Sequence, residues 1–222
     1  MKAIGDPTIQ IPSIGILGGT FNPIHFGHLR MAQELADALN FDEVRFIPAA
    51  NPPHKNTPTI SAEHRAAMVR LSIANNPSFT FDDRELKRTG ASYTIDTLLS
   101  LREELGMQTS ITLLMGSDAF TQFDTWHRWQ EIIPLCHIAL VQRPRVEDNK
   151  LPKILETFLH NHYTENSDDL HTTPAGFVAM RQVTALDISS TAIREAFKHD
   201  YSARYLMPDS VIEYIHAHNL YK

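Results

Sequence analysis

The sequence predicts an α/β fold: a Rossmann-like parallel sheet with helices on both faces and a helical segment at the C-terminus. Two observations carry this. Short apolar or β-branched runs alternate with stretches of helical spacing, and such alternation closes into right-handed crossovers on a parallel sheet. The 222 residues are also long enough to bury roughly 70% of the unfolded chain's surface without a disulfide or metal staple.

Strands are expected at Ile14–Leu17, Val44–Ile47, Phe79–Phe81, Ile111–Met115, Ile138–Val141 and Phe177–Val183, each a short run of β-formers. Leu29, Ala32, Leu35, Ala36 and Leu39 recur at helical spacing, with Asn40 placed to end that helix. Ser61 can cap a second helix carrying Ala66, Val69 and Ile73, and Pro77 blocks its extension. Ile95, Leu98, Leu99 and Leu105 mark a third, ending at Gly106. From Arg143 to about Thr173 the chain is polar, with one helical candidate around Ile154–Leu159. The whole chain, 1–222, reads as a single domain with a polar insertion at about 143–173 and a C-terminal helical part at about 189–222, built from Ser189–Lys198 and Pro208–His218.

Composition excludes several classes. With 20 Lys+Arg against 26 Asp+Glu the formal charge is −6, which argues against coating nucleic acid. No apolar run nears the ~20 residues of a membrane helix, and Gly5-Asp6-Pro7 interrupts any secretion signal. The single cysteine, Cys136, excludes an internal disulfide framework and suits a cytoplasmic setting. The expectation is therefore no membrane and no nucleic-acid partner, while the oligomeric state stays open. The 12 histidines are scattered from His25 to His218.

In parallel sheets ligands bind beyond the carboxyl ends of the strands. The first such loop reads Gly18-Gly19-Thr20-Phe21-Asn22-Pro23-Ile24-His25-Phe26-Gly27-His28-Leu29. Its glycines let main-chain N–H groups approach a phosphate, and the helix that follows adds its N-terminal partial charge. His25 and His28, three apart, can face one ligand. They lack a third metal ligand nearby, so no metal site is expected. Near the other end, Ile188-Ser189-Ser190-Thr191-Ala192-Ile193-Arg194 puts hydroxyls at a helix start and an arginine one turn on, a set that suits phosphate oxygens.

The segment GGTFNPIHFGHL resembles the HxGH signature of the nucleotidyltransferase α/β-phosphodiesterase superfamily, and ISSTAIR resembles the ISSTxIR motif that accompanies it. The family pattern often has Asp where this chain has Asn22. Pro52-Pro53-His54-Lys55, Ser92-Tyr93-Thr94, Gly116-Ser117-Asp118 and Trp126-His127 extend the similarity over most of the chain to the family of bacterial nicotinate-nucleotide adenylyltransferases. The resemblance implies adenylyl transfer from ATP to nicotinate mononucleotide, with His25, His28 and Arg194 catalytic. It implies ATP contacts at Gly18, Gly19, Thr20, Phe21, His25, His28, Gly116, Asp118, Ser189, Ser190, Thr191 and Arg194. Substrate contacts are implied at Asn22, His54, Lys55, Tyr93, Thr94, Trp126 and Arg143. Mg²⁺ is expected to arrive with ATP rather than in a protein cage. A sister nucleotidyltransferase, or a nucleotide-binding regulator without turnover, shares the two phosphate motifs, and the Tyr93-Thr94 and Trp126 segments favour nicotinate.

Overall fold

The computed structural model describes residues 10–53, 60–142, 151–184 and 186–222. Its strands are β1 (Ser13–Gly19), β2 (Glu43–Pro48), β3 (Phe79–Phe81), β4 (Ser110–Gly116), β5 (His137–Gln142), β6 (Tyr163–Thr164) and β7 (Val178–Gln182). The helices are α1 (Phe26–Leu39), α2 (Ala62–Ile73), α3 (Thr94–Leu105), α4 (Ser117–Phe120), α5 (Lys153–His162), α6 (Asp169–Thr172), α7 (Ser190–Lys198) and α8 (Asp209–Ala217). The strands form one seven-stranded sheet in the order β3-β2-β1-β4-β5-β7-β6, and every pairing is parallel.

The strands are apolar almost throughout because both faces are covered. Side chains alternate across a strand. Ile14 and Ile16, Ile111, Leu113 and Met115, and Ile138 and Leu140 therefore pack with Ile95, Leu98 and Leu101 of α3 and Leu155 and Phe158 of α5. Leu17, Leu114, Ala139 and Val141 face the other way, into the layer made by α1, α2, α7 and α8. Truncating a buried leucine such as Leu35 or Leu98 in either layer should cost ~2–5 kcal/mol.

Local chemistry explains the helix ends. Ser61 Oγ accepts from the His64 N–H at the start of α2, and Asn40 closes α1 in the left-handed conformation with φ 47°. Gly106 ends α3 at φ 76°, where a side chain would be strained. The predicted strands and the main helices are present. Five elements were not foreseen: α4, α6 and β6, each of four residues or fewer, and the two turns of 3₁₀ helix at Phe123–Thr125 and Trp129–Glu131. Within the polar stretch, Leu155 and Leu170 are fully buried and Ser110 Oγ donates to the Leu170 carbonyl. Residues 153–172 thus complete the sheet edge and the core.

Strand order reverses between β1 and β4. From β1 the chain moves outward through β2 and β3, and from β4 it moves the other way. The loops leaving Gly19 and Gly116 therefore diverge and open a crevice at the carboxyl ends of the strands, the place where open α/β sheets bind ligands.

Candidate active site

The loop after β1 is shaped by its own aromatic ring. Phe21 adopts φ 47° and folds back, so that a Cβ on Gly19 would lie 3.1 Å from the Phe21 ring. The Asn22–Pro23 peptide is cis. Phe21 is buried and meets the His28 ring edge-on at 5.3 Å between centroids.

His25 is the N-cap of α1 and His28 its third residue. Their rings lie 3.8 Å apart between centroids. The His25 backbone N–H donates to His28 Nδ1 at 3.3 Å. An Nδ1 that accepts in this way places the proton of the neutral ring on Nε2, so His28 offers an N–H donor there. Gly27 lets the ring come close: a Cβ there would stand 3.0 Å from Cε1 and Nδ1 of His25 and would press on that ring. The α1 N-terminus adds a partial positive charge to the histidine pair.

The two motif segments, about 160 residues apart in sequence, meet here. Arg194 Nη1 donates to the Asn22 carbonyl at 2.8 Å and its Nη2 to Thr191 Oγ1 at 3.2 Å. Ser190 Oγ donates to the Pro23 carbonyl at 2.9 Å. Ser189 Oγ caps α7 by accepting from the Ala192 N–H, so one of the hydroxyls expected to face phosphate serves its own helix. Tyr221 O–H donates to Asn22 Oδ1 at 2.7 Å. Burial pushes its hydroxyl up, against the opposing pull of Arg194 and Arg65, which keeps it a donor. The side chain at position 22 is thus an acceptor from the C-terminal tyrosine.

Across the crevice Gly116 caps α4, and Asp118 lies exposed in its first turn. A Cβ on Gly116 would meet nothing within 4 Å, leaving that approach open. Tyr93 is the N-cap of α3 and Thr94 its first residue. The Tyr93 ring lies 4.3 Å from that of His127 at 32°, and Trp126, half-buried, meets Phe123 edge-on at 5.6 Å. Ser92 does not cap α3; its Oγ accepts from the Asn51 N–H instead, tying this segment to the loop after β2. His54, Lys55 and Arg143 lie outside the described residues.

Sequence reasoning passed over Arg65, Asn51 and Tyr221, and it named His127 only as the neighbour of Trp126, with no role assigned. Arg65 is 1% exposed, and it sits on the same helical face as Met68 and Val69. A charge at a core position of an apolar pattern was the available signal.

The donors gathered at this end are ring N–H, guanidinium and hydroxyl groups, the kind that hold phosphate oxygens. Among the described residues no group of three or more His, Cys, Asp or Glu could hold a metal ion, and no helix is long and apolar enough to cross a membrane.

Comparison with known proteins agrees with this chemistry. The cytidylyltransferase-like family model matches residues 16–196. A relative from Dechloromonas aromatica, named "Probable nicotinate-nucleotide adenylyltransferase", is 44% identical over 94% of this chain and 97% of its own length. One of the same name from Hahella chejuensis is 47% identical over 94% and 95%. Among solved structures, Plasmodium falciparum nicotinic acid mononucleotide adenylyltransferase complexed with NaAD superposes with a TM-score of 0.72 at 17% identity, covering 94% of this chain and 97% of that one. At that identity the likeness speaks for the fold. With the family model matched over most of the chain and relatives this similar along its length, the protein belongs to the cytidylyltransferase-like family, in the nicotinate-nucleotide adenylyltransferase branch.

Proposed function

We propose that this protein transfers the adenylyl group of ATP to nicotinate mononucleotide, forming deamido-NAD and pyrophosphate in NAD biosynthesis. The observation that carries the site assignment is the junction of the two phosphate motifs. The bonds from Arg194 and Ser190 to the carbonyls of Asn22 and Pro23 set the N-terminus of α7 beside that of α1.

In the proposed reaction a 5′-phosphate oxygen of the mononucleotide attacks the α-phosphorus of ATP, and the bond to the β-phosphate oxygen breaks as pyrophosphate leaves. The second pKa of a phosphate monoester is near ~6, so the nucleophile is largely ionised at pH 7 and needs no general base. The protein's task is placement and charge stabilisation. His28 donates from Nε2 to a phosphate oxygen, with His25 beside it. Arg194, Ser190 and Thr191 with the α7 N-terminus, which Ser189 caps, take the outer phosphates, and Lys55 and His54 are assigned to the same phosphates. Gly18, Gly19, Thr20 and Phe21 supply the backbone at the donor side, and Gly116 and Asp118 meet the ATP ribose. Thr94 offers donors to the nicotinate carboxylate, Trp126 and Tyr93 flank the ring, Asn22 lines the acceptor side, and Arg143 takes the mononucleotide phosphate. The donor set fits phosphate oxygens better than a metal, so Mg²⁺ belongs to the substrate as Mg-ATP, where it neutralises phosphate charge.

The cytoplasm is the proposed setting. Cys136 is fully buried with its thiol pushed up to about 12, an inert core residue that needs no oxidising compartment.

The test is product stoichiometry with Mg-ATP and nicotinate mononucleotide. One pyrophosphate per deamido-NAD is expected, and a folded protein that releases none would overturn the proposal.

A further inference from the structure

Arg65 stands in the first turn of α2, 1% exposed, and among the described residues its bonds all go to backbone carbonyls. Nη1 donates to the Thr20 carbonyl at 2.7 Å and to the Ala49 carbonyl at 2.6 Å, and Nη2 donates to the Ala50 carbonyl at 2.9 Å. Its Nε, also buried, has no partner among the described residues. Thr20 follows β1 at the donor loop, whereas Ala49 and Ala50 follow β2. The peptide after the Ala50 carbonyl continues the chain of contacts. Its N–H, on Asn51, donates to Ser92 Oγ at 3.1 Å, the Asn51 carbonyl accepts from the Ser92 N–H at 2.9 Å, and Asn51 Nδ2 donates to the Gly90 carbonyl at 2.9 Å. Ser92 immediately precedes Tyr93 and Thr94.

We propose that Arg65 is a positioning residue that sets the ATP-binding loop at Thr20 against the acceptor-binding segment at Tyr93-Thr94, through Ala50, Asn51 and Ser92. The inference rests on the adenylyl-transfer reading. A planar guanidinium suits the task, because Nη1 joins carbonyls of both loops while Nη2, held in the same plane, fixes the Ala50 carbonyl relative to them, an orientation that the freely rotating donors of an ammonium do not set. Separation matters here because the attacking oxygen and the α-phosphorus must meet in line, and misplacement of about 1 Å costs on the order of a hundredfold in rate. A buried cation is costly to leave without compensation, so its retention at a core position calls for a gain elsewhere.

The experiment compares wild type, Arg65→Lys, Arg65→Met and Ser92→Ala in steady-state pyrophosphate release. Binding of each substrate alone is followed by calorimetry, and folding by circular dichroism. Wild-type turnover establishes the reaction independently: its absence would overturn the functional reading and this inference with it, whereas unchanged variants beside an active wild type would overturn the inference alone. In the folded Arg65 variants kcat is expected to fall at least thirtyfold while the affinity for ATP alone and for nicotinate mononucleotide alone stays within threefold. Lysine should not restore the rate. Ser92→Ala, which removes only the far end of the tie and leaves the core intact, should lower kcat about fivefold with the same pattern, and it decides the matter if the Arg65 variants do not fold. Wild-type kcat in folded variants would overturn the proposal. So would a loss confined to one substrate's binding, or full rescue by lysine.

Discussion

Among the described residues two arginines are buried, and both bond only to backbone carbonyls, yet they sit at opposite ends of the sheet. Arg102, near the C-terminus of α3, uses all three of its nitrogens: Nε and Nη2 on the Leu135 carbonyl, Nη1 on those of Gly106 and Thr109, and Nη2 also on that of Pro174. It gathers the loops that lead into β4, β5 and β7 and leaves no donor nitrogen idle. Arg65 gathers the loops that leave β1 and β2 and keeps Nε unpartnered among the described residues. Burial lowers the pKa of both guanidiniums, so both charges are held at a cost. The contrast teaches a division of labour. Arg102 closes the entry ends of β4, β5 and β7 by bonding with all three nitrogens, whereas Arg65 joins the loops that leave β1 and β2 beside the candidate site.

The histidines divide in the same way. His137 at the start of β5 is fully buried, its Nε2–H donating to the Thr173 carbonyl and its Nδ1 accepting from the Phe177 N–H. Burial holds its pKa down to about 4. His25 and His28, at the exit end, face each other beside a helix N-terminus.

Replacing His28 with alanine tests the exit end hardest. It should lower kcat by ~10²–10³ while the melting temperature stays within a few degrees, and a variant with wild-type turnover would erase the distinction. Arg102→Met should do the reverse. It strands several buried carbonyls at ~1–3 kcal/mol each, so stability by urea unfolding should fall by ~3 kcal/mol or more with kcat per folded molecule unchanged.

The pH dependence of stability should also localise to the entry end. The folded pKa of His137 lies below its ordinary value of 6.5, so the unfolded chain binds the extra proton first. The stability tied to this neutral ring is complete above pH 6.5 and declines as pH falls toward about 4. A span of about 2.5 units corresponds to ~3 kcal/mol. His137→Gln should flatten that slope in urea titrations between pH 7 and 4, and an unchanged slope would place the titration elsewhere. The smallest effect is expected from Tyr221→Phe, which removes one hydrogen bond to Asn22 Oδ1 worth ~1 kcal/mol. It should reduce kcat/KM a few-fold, and a change in stability alone would move Tyr221 to the scaffold.

Much of this was legible in the sequence because the signals are local. Apolar runs between turn residues marked β1, β2, β4 and β5, and Gly106 and Asn40 marked helix ends, since conformation at each depends on a few neighbours. The short β6 and α6 were not legible. Tyr163 and Thr164 carry no run of their own and pair only because β7 offers an edge, and Leu170 is buried by the core beneath it. At the site, the motifs located His25, His28 and Arg194. Arg65, Asn51 and Tyr221, which tie the surrounding loops, act through contacts between residues 15 to 199 positions apart, which no local pattern encodes.

The most direct test of the account is kcat/KM for pyrophosphate release with nicotinate mononucleotide against nicotinamide mononucleotide, under saturating Mg-ATP. The account predicts a preference for the acid of at least tenfold, ~1.4 kcal/mol, and equal values for the two would contradict the acceptor assigned to Thr94 and Trp126.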